Sequence, residues 1–476
     1  MIFNSFTYLF FLPVVFILYW FFTRKNLKVQ NILLLLSSYV FYATWNWKFL
    51  FLLIFSTLLD YYTGIKMSEA ENRRTKKFWF WLSISINLGF LGVFKYYNFF
   101  ITSFAEALGQ FGLQANLSTL QIILPVGISF YTFHGLSYVI DIYKNKIKPE
   151  RNFLDYAVFV CFFPLLVAGP IERATHLLPQ IQTKRTFEYS KAVDGLRQIL
   201  WGLFMKIVVA DNCALVVNEV FKNQSTHNAP SLIIGAVFFA FQIYGDFAGY
   251  SNIALGSAKL FGIDLLKNFS FPYFSRDIAE FWRRWHISLS SWFKDYLYIP
   301  LGGSKGGKWM QIRNTIIIFV VSGFWHGANW TFIIWGFLNA LYIMPLVIFN
   351  LNRKNTDTVA ENRILPTLKE FLQILFTFAI TTIAWVFFRS ETVAGAFDYL
   401  GRIFDVSNYG FPQTDKQPFI FICILIIVEW FQRTKQHGLQ LDQVKNVVVR
   451  WSVYAILVLI ILIFGANSDS FIYFQF

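Results

Sequence analysis

Two histidines hold the chemistry within reach of this chain. His326 lies in SGFWHGANW, where two apolar runs meet, and His286 lies 40 positions earlier in FWRRWHISLSSW. Placing a titratable ring in an apolar run of membrane-spanning length costs free energy and marks a functional position by default. In apolar surroundings a neutral imidazole is favoured, which leaves one ring nitrogen able to accept a proton. That is what a general base acting on an alcohol requires. Gly323, Gly327 and Ala328 around His326 permit close approach of backbone or ligand. Trp325 and Trp330 flank the turn, and Asn329 stands where it could orient the imidazole or a carbonyl. The competing reading of His326 is a packing histidine bonded to a backbone carbonyl. A metal site is not expected, because His134, His176, His227 and His437 are scattered and no His/Glu pair has ligand spacing. No GxSxG, Walker, GxGxxG or HExxH pattern occurs, so the corresponding hydrolase, nucleotidase, dehydrogenase and metalloprotease readings have no support.

The segment 282–296 has helical periodicity. Trp282, Trp285, Leu289, Trp292, Phe293 and Tyr296 share one face, and Arg283, Arg284, Ser291, Lys294 and Asp295 the other. The pattern predicts one helix lying in a membrane interface, with His286 at the edge of its apolar face. The bland alternative is an interfacial helix with an incidental histidine. Arg283 and Arg284 would present cations to the phosphates of a donor or to an acidic carrier. Trp285 and Trp325 are expected near the donor, and the two histidines are read as the two ends of one reaction path. Asp246 in YGDFAGYS is an acid inside an apolar run, and Ser129, Tyr131, Thr132 and His134 cluster in another. Such residues either line a wet path or hydrogen-bond between helices.

The elements that must position these groups follow from composition. The 476 residues are 56% hydrophobic and 14% charged, well outside the range of soluble domains. Repeated apolar runs near the length of a bilayer crossing predict an all-α polytopic membrane protein, and they lack the alternation of a β-barrel. The excess of 41 Lys and Arg over 27 Asp and Glu fits cytoplasmic loops better than nucleic acid. Cys161, Cys213 and Cys423 lie in apolar segments and read as packed residues. The N-terminal run has no basic residue before it and no small-x-small site after it, so an uncleaved first helix is expected.

Spans are expected near 6–22, 31–43, 49–65, 119–142, 195–220, 231–262, 366–388, 418–431 and 451–466. A hairpin-like pair begins at 78–94, and two apolar arms, 314–325 and 330–350, flank the turn at His326. With re-entrant pieces, this makes about eleven spans in one integral-membrane domain. N-terminal helices occupy 1–118, a catalytic core 119–350 and C-terminal helices 351–476. Basic residues lie on both sides of Phe153–Ala168, and Pro164, Gly169 and Pro170 supply breaks, so a re-entrant hairpin is expected there. The basic stretch Asp264–Arg313 is placed on the cytoplasmic side, with both termini outside. The absence of an internal repeat counts against a secondary transporter.

LPVGISFYTF, LSYVIDIY, FPLLVAGPIER, YGDFAGYSNIALGSAKLFG, NFSFPYFSRDIAEFWRRWHISLSSWFKDYLYIPLGG, SGFWHGANWTFIIWG, WVFFRS and the terminal FIYFQF together resemble the membrane-bound O-acyltransferase family. The similarity is strongest to its bacterial branch that O-acetylates alginate and D-alanylates teichoic acid, with length and FIYFQF favouring the acetyl branch. The resemblance implies a ring of helices around a funnel, His326 as the catalytic histidine and His286 as the second functional one. It implies no tightly bound cofactor. The donor would be a cytoplasmic thioester, acetyl-CoA or an acyl-carrier protein. The protein would sit in the cytoplasmic (inner) membrane, with an extracytoplasmic esterase-fold (SGNH) acyltransferase as partner and an exopolysaccharide or wall polymer as acceptor. Where this chain has His134 the family pattern has Gln, so a proton relay there would be particular to this protein. Two rival classes are D-alanyl transfer from a carrier protein and a non-enzymatic transporter or scramblase; the latter would need no base beside a thioester.

Overall fold

The computed structural model describes residues 1–113, 118–121, 123–167 and 169–466. Among these residues all regular structure is helical. The terminal FIYFQF and Ala168 lie outside the described residues. Among the described residues seven helices are long and apolar enough to cross a membrane: Leu27–Glu69, Arg73–Gln110, Tyr189–Lys222, Ala229–Leu260, Trp330–Ile348, Leu368–Arg389 and Val447–Phe464. Phe6–Phe22 and Pro418–Phe431 are shorter apolar helices. Their outward side chains are large and apolar: Phe371, Ile427 and Leu462 are 51%, 56% and 75% exposed. Helices satisfy their own backbone polar groups, so a surface of this kind is stable only against lipid.

The spans expected at 31–43 and 49–65 are two helical stretches within Leu27–Glu69, separated by a kink at Asn46, whose backbone is extended (φ −158°, ψ 108°). The hairpin expected from residue 78 onward is a continuous helix, Arg73–Gln110, which passes through a π turn at Gly92–Tyr96. A π turn inserts a residue without breaking the helix. Cys161 and Cys213 are buried, as expected, but Cys423 is exposed on its apolar helix.

The described residues form two compact units. The first comprises Met1–Ala192 with Ser257–Leu266. Here Phe153–Cys161 and Phe163–Leu166 are two short, buried helices broken at Phe162. Nine helical residues rise only about 14 Å, half a bilayer core, which fits a broken element and rules out a simple span. His134 holds this region together. It is buried on the helix Ile128–Tyr143, and its Nε2 accepts the backbone N–H of Glu172 at 3.0 Å. The Glu172 carboxylate accepts from the Leu266 backbone N–H at 2.6 Å and meets His176 Nδ1 at 2.8 Å.

The second unit comprises Val193–Gly256 and the described residues from Lys267 onward. Its tightest packing is the antiparallel pair Gly307–His326 and Trp330–Ile348. Gly323 and Gly336 make this approach possible. A methyl on Gly323 would lie 2.2 Å from the Phe332 carbonyl oxygen, and one on Gly336 2.3 Å from that of Phe319. Close backbone approach at small residues is the usual means of joining helices in lipid, where no hydrophobic drive assembles them.

Gly336→Ala is expected to lower stability by about 1–3 kcal/mol through this overlap. Thermal unfolding in detergent checks it, and an unchanged midpoint would contradict it. The Glu172 contact raises the His176 pKa above its ordinary value. The stabilisation from that contact is therefore full below the unfolded pKa of about 6.5 and is lost as pH rises through the folded one. His176→Gln should remove that part of the stability-versus-pH curve.

Candidate active site

The catalytic candidates are built from the break at Trp285–His286. The expected single helix over 282–296 is instead two, Ile278–Arg284 and Ile287–Phe293, followed by a π turn at Lys294–Tyr298. At the break the chain exchanges intrahelical bonds for bonds to a neighbouring extended segment. Ile287 N–H donates to Asn268 O at 2.9 Å, and Ser270 N–H donates to Arg284 O at 3.0 Å. Ser288 Oγ donates to Asn268 Oδ1 at 2.6 Å. His286 itself adopts a left-handed conformation, φ 43° and ψ 54°. A non-glycine residue there costs about 1–3 kcal/mol and persists only where its surroundings impose it.

This turn moves His286 from the expected edge of an interfacial helix into the interior, where it is 1% exposed. Its ring lies edge-on to Phe247 at 4.6 Å between centroids, with Trp325 at 6.1 Å and Phe269 at 6.5 Å. His326 ends the helix Gly307–His326 at the expected turn and is 4% exposed. Trp325, Trp335 and Phe388 surround it at 5.0, 5.2 and 5.4 Å. The two imidazole centroids are 6.3 Å apart. They are neighbours, because the left-handed turn folds one towards the other.

The hydrogen bonding of the histidines separates them. His134, His176, His227 and His437 are each held by a protein group: the Glu172 N–H, Glu172, Glu219 and Asp194 respectively. By contrast, among the described residues neither ring nitrogen of His286 has a hydrogen-bond partner. A buried polar group left so calls for an explanation.

The other expected site residues have different roles. Trp285 is core, 1% exposed, stacked on Phe281 at 5.4 Å and against Trp385 at 5.1 Å. Asn329 does not orient the imidazole. It caps the helix Trp330–Ile348 by accepting from Thr331 N–H, and its amide donates to Glu391 O at 2.8 Å. Asp246 does not line an open wet path either. It pairs with Lys206 at 2.6 Å, and Lys206 also meets Asp211 at 2.8 Å, all three buried. Arg283 donates to the backbone carbonyls of Asn352 and Asn355. Arg284 pairs with Glu280 at 2.9 Å and donates to Asp357 O at 3.0 Å. Both arginines thus fasten the 352–357 loop to the helix that precedes His286.

Lys206 and Glu429 are among the buried charges missed from sequence. Lys206 sits in a π-helical segment, Phe204–Ala210, within an otherwise apolar run. Glu429 accepts the Tyr244 hydroxyl at 2.8 Å and lies alone in PFIFICILIIVEWF, a signal as visible as Asp246. Among the described residues no group of three His, Cys, Asp or Glu is placed to hold a metal.

Lys206→Ala should cost about 3–5 kcal/mol, since it removes the buried cation paired with Asp246 and Asp211. Asp246→Asn should lower stability while the folded fraction keeps its turnover. Loss of turnover in fully folded Asp246→Asn protein would return that acid to the reaction.

The sequence profile described as the membrane-bound O-acyltransferase family matches residues 3–388. The chain is 38% identical over 411 residues to the probable alginate O-acetylase of Pseudomonas aeruginosa, covering 86% of this chain and 76% of that protein. It is 32% identical to the peptidoglycan O-acetyltransferase of Helicobacter pylori, over 100% of this chain and 98% of that protein. To the teichoic acid D-alanyltransferase of Bacillus subtilis it is 29% identical, covering 51% and 64% of the two chains.

Proposed function

The chain belongs to the membrane-bound O-acyltransferase family, and from that premise we propose that His286 and His326 act together on one acyl-transfer centre. It is a multi-pass membrane enzyme, an O-acyltransferase of polysaccharide modification. The single observation that carries the site assignment is the pair of adjacent buried imidazoles, one of them without a protein hydrogen-bond partner.

In the proposed reaction an acceptor hydroxyl attacks the carbonyl of a thioester. His326 removes the hydroxyl proton as the C–O bond forms, and the C–S bond breaks. The proton then passes to the departing thiolate, so the products are an ester and a free thiol. His286, 6.3 Å away, hydrogen-bonds the same reacting group and stabilises the charge that develops on it. The thioester is taken to be acetyl-CoA or an acyl-carrier protein on the cytoplasmic side. The group then passes outward, through an esterase-fold partner, to an alginate-like exopolysaccharide or cell-wall polymer. The basic stretch Asp264–Arg313 supports a cytoplasmic donor face, with both termini outside, in a cytoplasmic membrane. Arg283 and Arg284 would act on the donor through the loop they fasten. The length of the match to O-acetyl-transferring relatives, against half-length similarity to D-alanyl transferases, favours acetyl.

With purified protein and radiolabelled acetyl-CoA, His326→Ala should lose about 10²–10⁴-fold in transfer while remaining folded. Wild-type turnover in folded His326→Ala protein would overturn the assignment. Label retained on wild type but not on His326→Ala, in the absence of acceptor, would instead indicate a covalent acyl-histidine. Arg283→Ala with Arg284→Ala should raise donor KM; an unchanged KM would remove their donor role.

A further inference from the structure

A cavity of about 420 Å³ lies in the first unit, at the end of the first apolar helix. Its apolar wall is aromatic. Phe187 packs edge-on against Phe16 at 6.0 Å and against Trp20 at 5.5 Å. Trp20 is fixed in turn by donating its Nε1 hydrogen to Leu260 O at 2.8 Å. The rim is cationic, with Arg24, Lys25 and Lys184 all exposed and no carboxylate in the lining. Among the described residues none of these three has an ion-pair partner. Arg185, beside them, is committed elsewhere: its guanidinium donates to Asn31 and lies over the Tyr19 ring at 5.6 Å.

The layout has a direction. Phe6–Phe22 is apolar to its end, where Phe21 and Phe22 are 74% and 75% exposed, and the first cation follows two residues later. Aromatic surface and free cations therefore adjoin at the depth where a bilayer changes from acyl chain to phosphate. A soluble phosphate would use the cations but not the aromatic wall. An acidic protein surface would not enter a cavity of this size.

We propose that this cavity binds an anionic glycerophospholipid, its phosphate held by Arg24, Lys25 and Lys184 and an acyl chain laid against Phe16, Trp20 and Phe187. Basic pockets at the cytoplasmic ends of membrane helices hold anionic headgroups in this way, with roughly a fivefold gain in affinity per cation. A bound lipid would bridge the end of the first helix to the 184–187 segment. None of these residues belongs to the acyl-transfer site, so the proposal stands apart from it.

The test is lipid binding by native mass spectrometry of the detergent-solubilised full chain, titrated with phosphatidylglycerol and, separately, phosphatidylcholine. Wild-type protein should bind phosphatidylglycerol at least about tenfold more tightly at one site. In the triple variant Arg24→Gln, Lys25→Gln, Lys184→Gln that preference should fall towards one, with acyl transfer in neutral detergent unchanged. Phe187→Ala, which keeps the cations, should weaken both lipids. An undiminished preference for phosphatidylglycerol in the triple variant would overturn the proposal. So would displacement of the lipid by inorganic pyrophosphate or acetyl-CoA at millimolar concentration, which would assign the site to a soluble phosphate.

Discussion

The backbone exchange at Trp285–His286 is the constraint on which the proposed active site depends. A helix that ran unbroken through this segment would leave His286 on a surface, beside Arg283 and Arg284. Instead Asn268 and Ser270 take over the hydrogen bonds that the helix gives up, and His286 is held in a left-handed turn. Burial of an imidazole that no protein group bonds is unfavourable. The exchange makes that placement possible because every backbone group at the break named above is satisfied by a neighbour. The arginines contribute from outside by tying the 352–357 loop down over the same helix.

The partner imidazole is positioned by different physics. In lipid no hydrophobic force presses one helix on another, so the pair Gly307–His326 and Trp330–Ile348 depends on close contact at Gly323 and Gly336. That contact sets where the first helix ends, and His326 is its last residue. Trp335 and Phe388 then close around the ring, each between 5 and 6 Å away. The surrounding wall is nearly all aromatic, and such a wall excludes water while leaving the two imidazoles as the groups able to exchange a proton. Elsewhere in the same unit Lys206 is held in buried ion pairs with Asp211 and Asp246.

How much of this could be read in the sequence depends on the range of the interaction. The helical class, the turn at His326 and the broken element near Phe162 were legible because hydropathy, glycine and proline signals are local. His326 itself stood out as a polar group in an apolar run. The depth of His286 was not legible, because periodicity over 282–296 is the same whether the helix is whole or broken, and Asn268 lies well upstream. The break at Asn46 fell between the two expected spans, whereas the π turn at Gly92–Tyr96 has no hydropathy signature of its own, so the continuity of Arg73–Gln110 was missed. Asn329 looked like a site residue because it adjoins the histidine, yet an asparagine before a helix is as well suited to capping it. Asp246 was visible, but its partner Lys206 lies 40 positions away and only folding pairs them.

Joint action of the two imidazoles is tested most directly by a double-mutant cycle on acetyl transfer, with His286→Ala, His326→Ala and the double variant compared in folded protein. Groups that act as one unit are strongly non-additive. If each single change costs about 10³-fold, the double variant should lose little more than about 10³-fold. A double variant slowed by the product of the two single losses, about 10⁶-fold, would show that the histidines act independently and would contradict a shared acyl-transfer centre.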